Sequence, residues 1–166
     1  MKVTKQDIAS LLSGFSIEVT PASAQNIDSF ANHLPLNTSI NVTFLPGSNI
    51  DDTVNVSYRL HQEGFKPVPH LAARNFVNQK SLEQCLEQLT TIANVEEVLV
   101  IGGGLNAALG PYHSTLQILD SGLLEKYSIK KVGVAGHPEG SPDIPDLELA
   151  QALSLIHISE PTRRRG

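Results

Sequence analysis

The stretch that decides the fold is Glu97-Val98-Leu99-Val100-Ile101-Gly102-Gly103-Gly104. Its first five residues predict a short apolar strand, and its three glycines predict a loop directly after that strand. In a dinucleotide-binding Rossmann domain, the glycine-rich turn opens the first strand–helix unit. Three further strands are predicted before this one, so the glycines do not favour a Rossmann domain.

Strand and helix patterns alternate along the chain on both sides of this stretch. The predicted strands cover residues 15–20, 39–44, 66–70, 97–101 and 129–135. The predicted helices are capped by polar residues, namely Thr4, Ser23, Asp51 or Asp52, Ser81 and Ser114. Such alternation predicts parallel strands joined by right-handed helical crossovers, as in a barrel or an open doubly wound sheet.

Three details of these elements are open to test. Apolar residues at helical spacing predict one helix that runs from Ser23 to Leu34 and another that runs from Ser114 to Leu123. The third strand contains two prolines, which is awkward for the interior of a sheet because proline has no N–H to donate to a neighbouring strand.

Polar side chains recur where the predicted strands end, at Glu18, Thr43 and His70 and near His137. Because the active sites of α/β barrels are assembled at the carboxyl ends of the strands, this pattern favours a barrel over an open sheet. The chain has 166 residues, whereas a closed eight-stranded barrel needs roughly 250. We therefore expect residues 1–152 to be a truncated TIM-barrel catalytic domain of the α/β class, a partial (β/α)8 barrel of about five units.

Composition and charge exclude several classes of partner. Lys and Arg number 12 against 17 Asp and Glu, a formal net charge of −5, which argues against nucleic acid as a partner. Cys85 is the only cysteine, so there is no intrachain disulfide, and no histidine spacing indicates a metal site. The polar start and the lack of a long apolar run predict a cytoplasmic protein without a membrane partner.

Residues 153–166 differ in character from the rest of the chain. They resemble the translation of a transposon-type sequencing adapter, so we interpret them as a non-native tail and exclude them from the fold. The alternative is a natural basic tail. If the tail is an adapter, the gene product is cut off in mid-fold, and we expect the chain by itself to lack activity.

Glu18 lies within Phe15-Ser16-Ile17-Glu18-Val19-Thr20-Pro21, a run that otherwise favours a half-buried strand. This pattern predicts a carboxylate buried at the end of the first strand. Burial of a carboxylate raises its pKa, which allows a glutamate to donate a proton near neutral pH. The alternative is an edge strand whose glutamate faces solvent.

Four motifs in order along residues 15–142 resemble those of the methylenetetrahydrofolate reductase family, flavoproteins built on an eight-stranded α/β barrel. The run from Ser16 to Pro21 resembles the first-strand motif of that family, and Asn41-Val42-Thr43-Phe44 resembles its second-strand Val-Thr-Tyr motif. Pro67-Val68-Pro69-His70-Leu71 resembles the third-strand Pro-His-Leu motif. Val132-Gly133-Val134-Ala135-Gly136-His137-Pro138-Glu139-Gly140 resembles the fifth-strand motif that ends in Tyr-Pro-Glu.

The resemblance implies a role for each matched residue. Glu18 would be the general acid that protonates a folate nitrogen, so that the bridging methylene opens to an iminium. Thr43 and His70 would contact the flavin of bound FAD. The further cofactor-binding positions implied are Gly103, Gly104, Ala135 and His137. Without the resemblance, Thr43 is an ordinary strand residue and His70 a packed histidine.

The chain also departs from the family pattern. Where the family has Leu-Arg-Gly-Asp after the fourth strand, this chain has Ile101-Gly102-Gly103-Gly104 and so lacks an Arg and an Asp that contact the flavin. The glycines allow backbone amides to approach an anionic ring or phosphate, or they form a bare flexible turn. The family's Tyr is replaced by His137, which indicates a divergent branch.

The resemblance implies an oxidoreductase that transfers hydride from NAD(P)H through FAD to 5,10-methylenetetrahydrofolate, giving 5-methyltetrahydrofolate in one-carbon and methionine metabolism. One alternative is a flavin- or folate-binding relative without reductase activity. Another is an open flavodoxin-like domain complete in itself. The sequence leaves open the choice of NADH or NADPH, the direction of the reaction, and whether the full-length parent is a homo-oligomer.

Overall fold

The computed structural model describes residues 3–11, 13–45 and 47–135, together with Leu147 and Ala150. The strands in this part of the chain are β1 (Ser16–Val19), β2 (Ser39–Val42), β3 (Lys66–Ala72), β4 (Glu97–Ile101) and β5 (Lys131–Val134). Its α-helices are α1 (Lys5–Leu11), α2 (Pro21–Ala24), α3 (Ile50–Gln62), α4 (Gln79–Thr91), α5 (Thr115–Leu119) and α6 (Leu123–Lys126). Short 3-10 turns cover Phe30–Asn32 and Ala73–Asn75.

The strands form one sheet in which every neighbouring pair is parallel and the spatial order follows the chain, β1-β2-β3-β4-β5. The predicted α/β class with parallel strands is therefore confirmed. A flavodoxin-like sheet has the order 2-1-3-4-5, so the flavodoxin-like alternative is wrong. A sequential order with right-handed crossovers places the connecting helices on one face of the sheet, as in a βα repeat.

That helix-covered face forms the core. Ile40, Val42, Leu71, Val98 and Val100 alternate with less buried residues along their strands and are completely buried. They belong to two apolar clusters, one around α4 and one around α3 and the start of the β1–β2 connection. Burial of this surface is the main source of stability for the sheet.

Cys85 on α4 lies inside the larger cluster, as its apolar helical pattern predicts. Its side chain is buried, and burial raises the pKa of its thiol to about 12. The thiolate is the reactive form of cysteine, so this residue is an inert part of the core.

The opposite face of the sheet carries the polar strand residues. Glu18, Asn41 and Val68 are register partners across β1, β2 and β3, and His70 pairs with Leu99 of β4. Side chains at paired positions of a parallel sheet point to the same side. The residues predicted to carry chemistry therefore lie on the face away from the core helices.

The predicted helix from Ser23 to Leu34 is wrong. Thr20 caps α2, which ends at Ala24. The guanidinium of Arg59 then donates to the carbonyl oxygens of Ala24, Ile27 and Asp28 at 2.9, 2.5 and 2.9 Å, and the Ala24 carbonyl also accepts the Ile27 N–H. A cation from α3 thus satisfies carbonyl oxygens that a continuous helix would pair with backbone N–H groups four residues later.

The other predicted helices differ in their ends. Asn49 and Asn78 cap α3 and α4, each accepting a backbone N–H of the first turn through its side chain, so both helices begin before the predicted caps. The predicted helix from Ser114 to Leu123 is divided into α5 and α6. Gly122 lies between them with a φ of 69°, a left-handed conformation that ends a helix and that glycine adopts without strain.

The two prolines of the third strand lie in the middle of the sheet, in β3. The backbone N–H of Lys66 points towards β2 and donates to the Thr38 carbonyl. Because successive N–H groups of a strand point to opposite sides, the nitrogens of Pro67 and Pro69 point towards β4. The pairing of β3 with β4 begins only at His70. The missing N–H groups therefore fall where no strand pairing occurs.

Candidate functional site

The first part of the site joins β1 to the residue that follows β2. The Thr43 backbone N–H donates to the Val19 carbonyl at 2.8 Å, which extends the β1–β2 ladder by one position. The Thr43 hydroxyl donates to Oε1 of Glu18 at 2.7 Å. The hydroxyl and the carboxylate are therefore held together at the carboxyl-terminal edge of the sheet.

His70 of β3 completes this group. Its side chain is only 6% exposed, and its Nε2 lies 3.9 Å from Oε2 of Glu18. Within the described part of the chain, neither Nδ1 nor Nε2 has a hydrogen-bond partner. Buried polar atoms without partners are uncommon in folded proteins and often mark a functional site or a bound molecule. We call Glu18, Thr43 and His70 the rim cluster.

The electrostatics of His70 follow from its burial. Loss of contact with water lowers the pKa of His70 below its usual value of 6.5, and the Glu18 carboxylate opposes this shift only in part. The imidazole is therefore neutral at neutral pH. A neutral imidazole has one N–H donor and one acceptor nitrogen. Both nitrogens of His70 are buried as well as unpaired, so a ligand atom reaches them only if neighbouring side chains move aside.

The three side chains share one rim, as their positions at the strand ends predict. Of the two interpretations of Glu18, the buried carboxylate is wrong, because its side chain is 59% exposed. The alternative is confirmed, since β1 is an edge strand of the sheet and its glutamate faces solvent. The carboxylate is consequently in contact with water in this structure.

The glycine loop after β4 packs closely against the end of β3. Gly103 has a φ of 93°, and a Cβ there would lie 3.1 Å from both the Ala72 Cβ and Asn75 Oδ1. The residue must therefore be glycine for the loop to pack on the end of β3. Its role in this structure is close packing of the loop, whereas a role in cofactor binding remains a prediction.

Arg74 fixes the same loop, and sequence reasoning missed it. Its side chain donates to the carbonyl oxygens of His113 and Leu105 at 3.1 and 3.0 Å, and its backbone carbonyl accepts the Leu109 N–H at 2.9 Å. The available signal was an arginine directly after a buried strand end. Such a cation can satisfy backbone carbonyls of a neighbouring connection.

The remaining predicted cofactor-binding residues are Gly104, Ala135 and His137. Gly104 is exposed in the loop after β4, and Ala135 is half-buried directly after β5. Both lie at the carboxyl-terminal edge of the sheet. His137 lies outside the described residues. Among the described residues, no group of three His, Cys, Asp or Glu side chains is arranged to hold a metal ion.

Comparison with models of known protein families finds none that matches this chain. The family resemblance of the strand-end motifs therefore stays a prediction. None of the helices in the described ranges has the length and apolar character needed to cross a membrane.

Proposed function

We propose that this protein is a flavin-dependent oxidoreductase of the methylenetetrahydrofolate reductase type, on a barrel to which residues 1–152 contribute about the first five βα units. It would transfer hydride from NAD(P)H to 5,10-methylenetetrahydrofolate. The observation that supports this proposal best is the rim cluster, in which Glu18 lies 2.7 Å from the Thr43 hydroxyl and 3.9 Å from His70 Nε2. An acid, a hydroxyl and a neutral imidazole at one barrel rim suit this reaction.

Glu18 would supply the proton in this proposal. Its Oε1 is oriented by the Thr43 hydroxyl, which leaves Oε2 on the side of His70. A substrate bound at the rim would remove water from around this carboxyl group. We therefore expect Glu18 to donate its proton to a folate nitrogen only when the substrate covers it.

His70 is the residue that fits a flavin. When bound, FAD supplies the hydride carrier between the two substrates. The unpaired nitrogens of His70 could pair with donor and acceptor atoms of such a ring once the side chains that bury them move aside. The Thr43 hydroxyl already donates its proton to Glu18, so only its lone pairs remain for the cofactor. The flavin contact is therefore assigned mainly to His70.

Titration of the full chain with FAD tests this assignment, with flavin fluorescence as the measure of binding. Replacing His70 by Leu should weaken binding about fivefold or more, because one or two hydrogen bonds to the ring are lost. His33→Leu is the control, since it also replaces a histidine by leucine but at an exposed residue outside the rim cluster. Equal affinities for the two variants would contradict the role given to His70.

The two half-reactions test the chemistry. In the full-length parent of this chain, under anaerobic conditions, NADH or NADPH should bleach the visible absorption of bound flavin, and methylenetetrahydrofolate should restore it. Glu18→Gln should still be bleached but recover far more slowly, because the amide cannot donate the proton. A variant that recovers at the rate of the parent chain would exclude Glu18 as the acid.

A second candidate is a flavin- or folate-binding protein without reductase activity. Two observations favour it: the Gly102–Gly104 segment in place of the family's Arg-Gly-Asp, and the 59% exposure of the Glu18 side chain. This candidate predicts that the parent chain binds flavin and is bleached by the reduced nicotinamide. It also predicts that the folate does not restore the absorption.

A further inference from the structure

A second concave surface opens at the carboxyl-terminal edge of the sheet. It is a pocket of about 310 Å³ between the connections that follow β2, β3 and β4. Its main apolar lining is formed by Phe44, Phe76, Val77, Leu105 and Leu109. We call it the Phe44 pocket. None of the residues of the rim cluster lines it, although Phe44 directly follows Thr43.

The lining of the Phe44 pocket carries no ionisable side chain. Of its polar residues, Ser48 accepts the Leu45 N–H, and Asn49 and Ser81 belong to the caps of α3 and α4. The side-chain amide of Asn75 makes no hydrogen bond within the described part of the chain. Asn75 therefore offers a donor and an acceptor to a ligand, and the absence of charge favours a neutral one.

One wall of the pocket is held rigidly before any ligand binds. The Arg74 guanidinium fixes the Leu105 carbonyl at 3.0 Å. Gly110 packs so closely that a Cβ there would lie 2.3 Å from the Val77 carbonyl oxygen and 2.4 Å from that of Phe76. A preformed wall reduces the ordering cost of binding and is typical of small-molecule sites.

Apolar side chains at the mouth of the Phe44 pocket are exposed to water. Val77 and Leu109 are 53% and 59% exposed. Removal of this surface from water by a flat apolar ligand is favourable in proportion to the area covered. The chemistry of the lining thus favours an uncharged, largely apolar ligand.

We propose that the Phe44 pocket binds a neutral planar ring that carries an amide group. The ring packs between Phe44, Phe76 and Leu109, and the amide pairs with the side chain of Asn75. This assignment rests on the lining residues and does not depend on flavin or folate chemistry at the rim cluster.

Benzamide and benzoate are suitable probes because they share size and shape but differ in charge and in the amide donor. Backbone amide NMR shifts of the full chain should report benzamide binding at Phe76, Val77 and Leu109, with a dissociation constant on the order of 1 mM for so small a ligand. Benzoate should bind at least fivefold more weakly. Equal binding of the two probes, or shifts confined to other residues, would overturn the proposal.

Two variants locate the site. Leu109→Lys should weaken benzamide binding at least fivefold, whereas Leu36→Lys, at a residue that is 61% exposed and outside the pocket, should leave it unchanged. Asn75→Leu keeps the volume but removes the amide, so the preference for benzamide over benzoate should fall about fivefold. Unchanged shifts of distant residues establish that each variant is folded. Equal effects of the two lysine variants would exclude the pocket.

Discussion

Two polar clusters of this protein each contain a glutamate, but they differ in how completely their polar atoms are paired. Around Arg59, the guanidinium donates to three backbone carbonyls and to Glu63, and its carbon lies 5.4 Å from the centre of the Phe30 ring. Glu63 also accepts the Phe30 N–H at 2.7 Å. We call this group the Arg59 cluster, and every charged group in it has partners.

The rim cluster has the opposite character. His70 is buried with both nitrogens unpaired, and Glu18 keeps most of its carboxylate in water. A fully paired polar network makes a connection rigid, whereas an incompletely paired one is destabilising unless a ligand completes it. The comparison separates a polar group that builds the fold from one that is available for binding.

The largest expected effect comes from Arg59→Ala in the Arg59 cluster. We expect the free energy of unfolding to fall by about 2–3 kcal/mol, because three carbonyls and Glu63 lose a charged donor. Urea unfolding measures this change in the free energy of unfolding. Lys126→Ala is the control, since Lys126 pairs with Glu83 at the surface and should shift the midpoint very little. Similar losses for both variants would remove the distinction between the clusters.

In the rim cluster, His70→Leu should raise the free energy of unfolding by about 1 kcal/mol. The substitution removes two unpaired buried nitrogens and keeps apolar volume in their place. The same variant should bind flavin less well, so stability and binding change in opposite directions. Urea unfolding next to the FAD titration checks this, and a clear loss of stability would show that His70 supports the fold.

The two clusters should also differ in the pH at which they affect stability. The folded-state pKa of His70 lies below 6.5, so the unfolded state binds more protons and stability falls as the pH drops below about 6.5. For Glu63, burial raises its pKa but the Phe30 N–H and Arg59 lower it by more, so the net shift is downward from 4.5. The contribution of Glu63 to the free energy of unfolding is present above about pH 4.5 and is lost as the pH falls through its folded-state pKa.

Urea midpoints across this pH range can separate the two contributions. His70→Leu should flatten only the upper part of the profile, and Glu63→Gln only the acidic part. If His70→Leu leaves the slope just below pH 6.5 unchanged, the burial assigned to the imidazole is incorrect.

The smallest effect is expected for Thr43→Val. The hydrogen bond from its hydroxyl to Glu18 lies at an exposed position, and valine suits a strand end equally well, so stability should change by less than about 0.5 kcal/mol. Thermal or urea unfolding measures the change. A loss above 1 kcal/mol would place Thr43 among the residues that hold the fold.

Much of the fold could be predicted from the sequence because strand and helix periodicities are local signals. The apolar run of β4 was predicted with the bounds that the structure has, and Glu18, Thr43 and His70 do share one rim. The β1–β2 connection was wrong because its conformation is set by Arg59, which lies more than thirty residues later in the chain. Periodicity within a window contains no information on such a partner.

The sequence left open whether Glu18 is buried or exposed, for a related reason. Its sequence neighbours favour a half-buried strand, but burial depends on which elements cover the polar face of an edge strand. The Phe44 pocket was also missed, since its lining comes from three separate connections. A site assembled in this way has no motif of its own.

The prolines of β3 have a further consequence for how the chain folds. If β3 slipped by one residue, both prolines would face β2, and two backbone hydrogen bonds of that pair would be lost. The native alignment places them towards the part of β4 that does not pair with β3. Pro67 and Pro69 thus penalise mispaired intermediates, and they protect a sheet of parallel strands from assembling out of step.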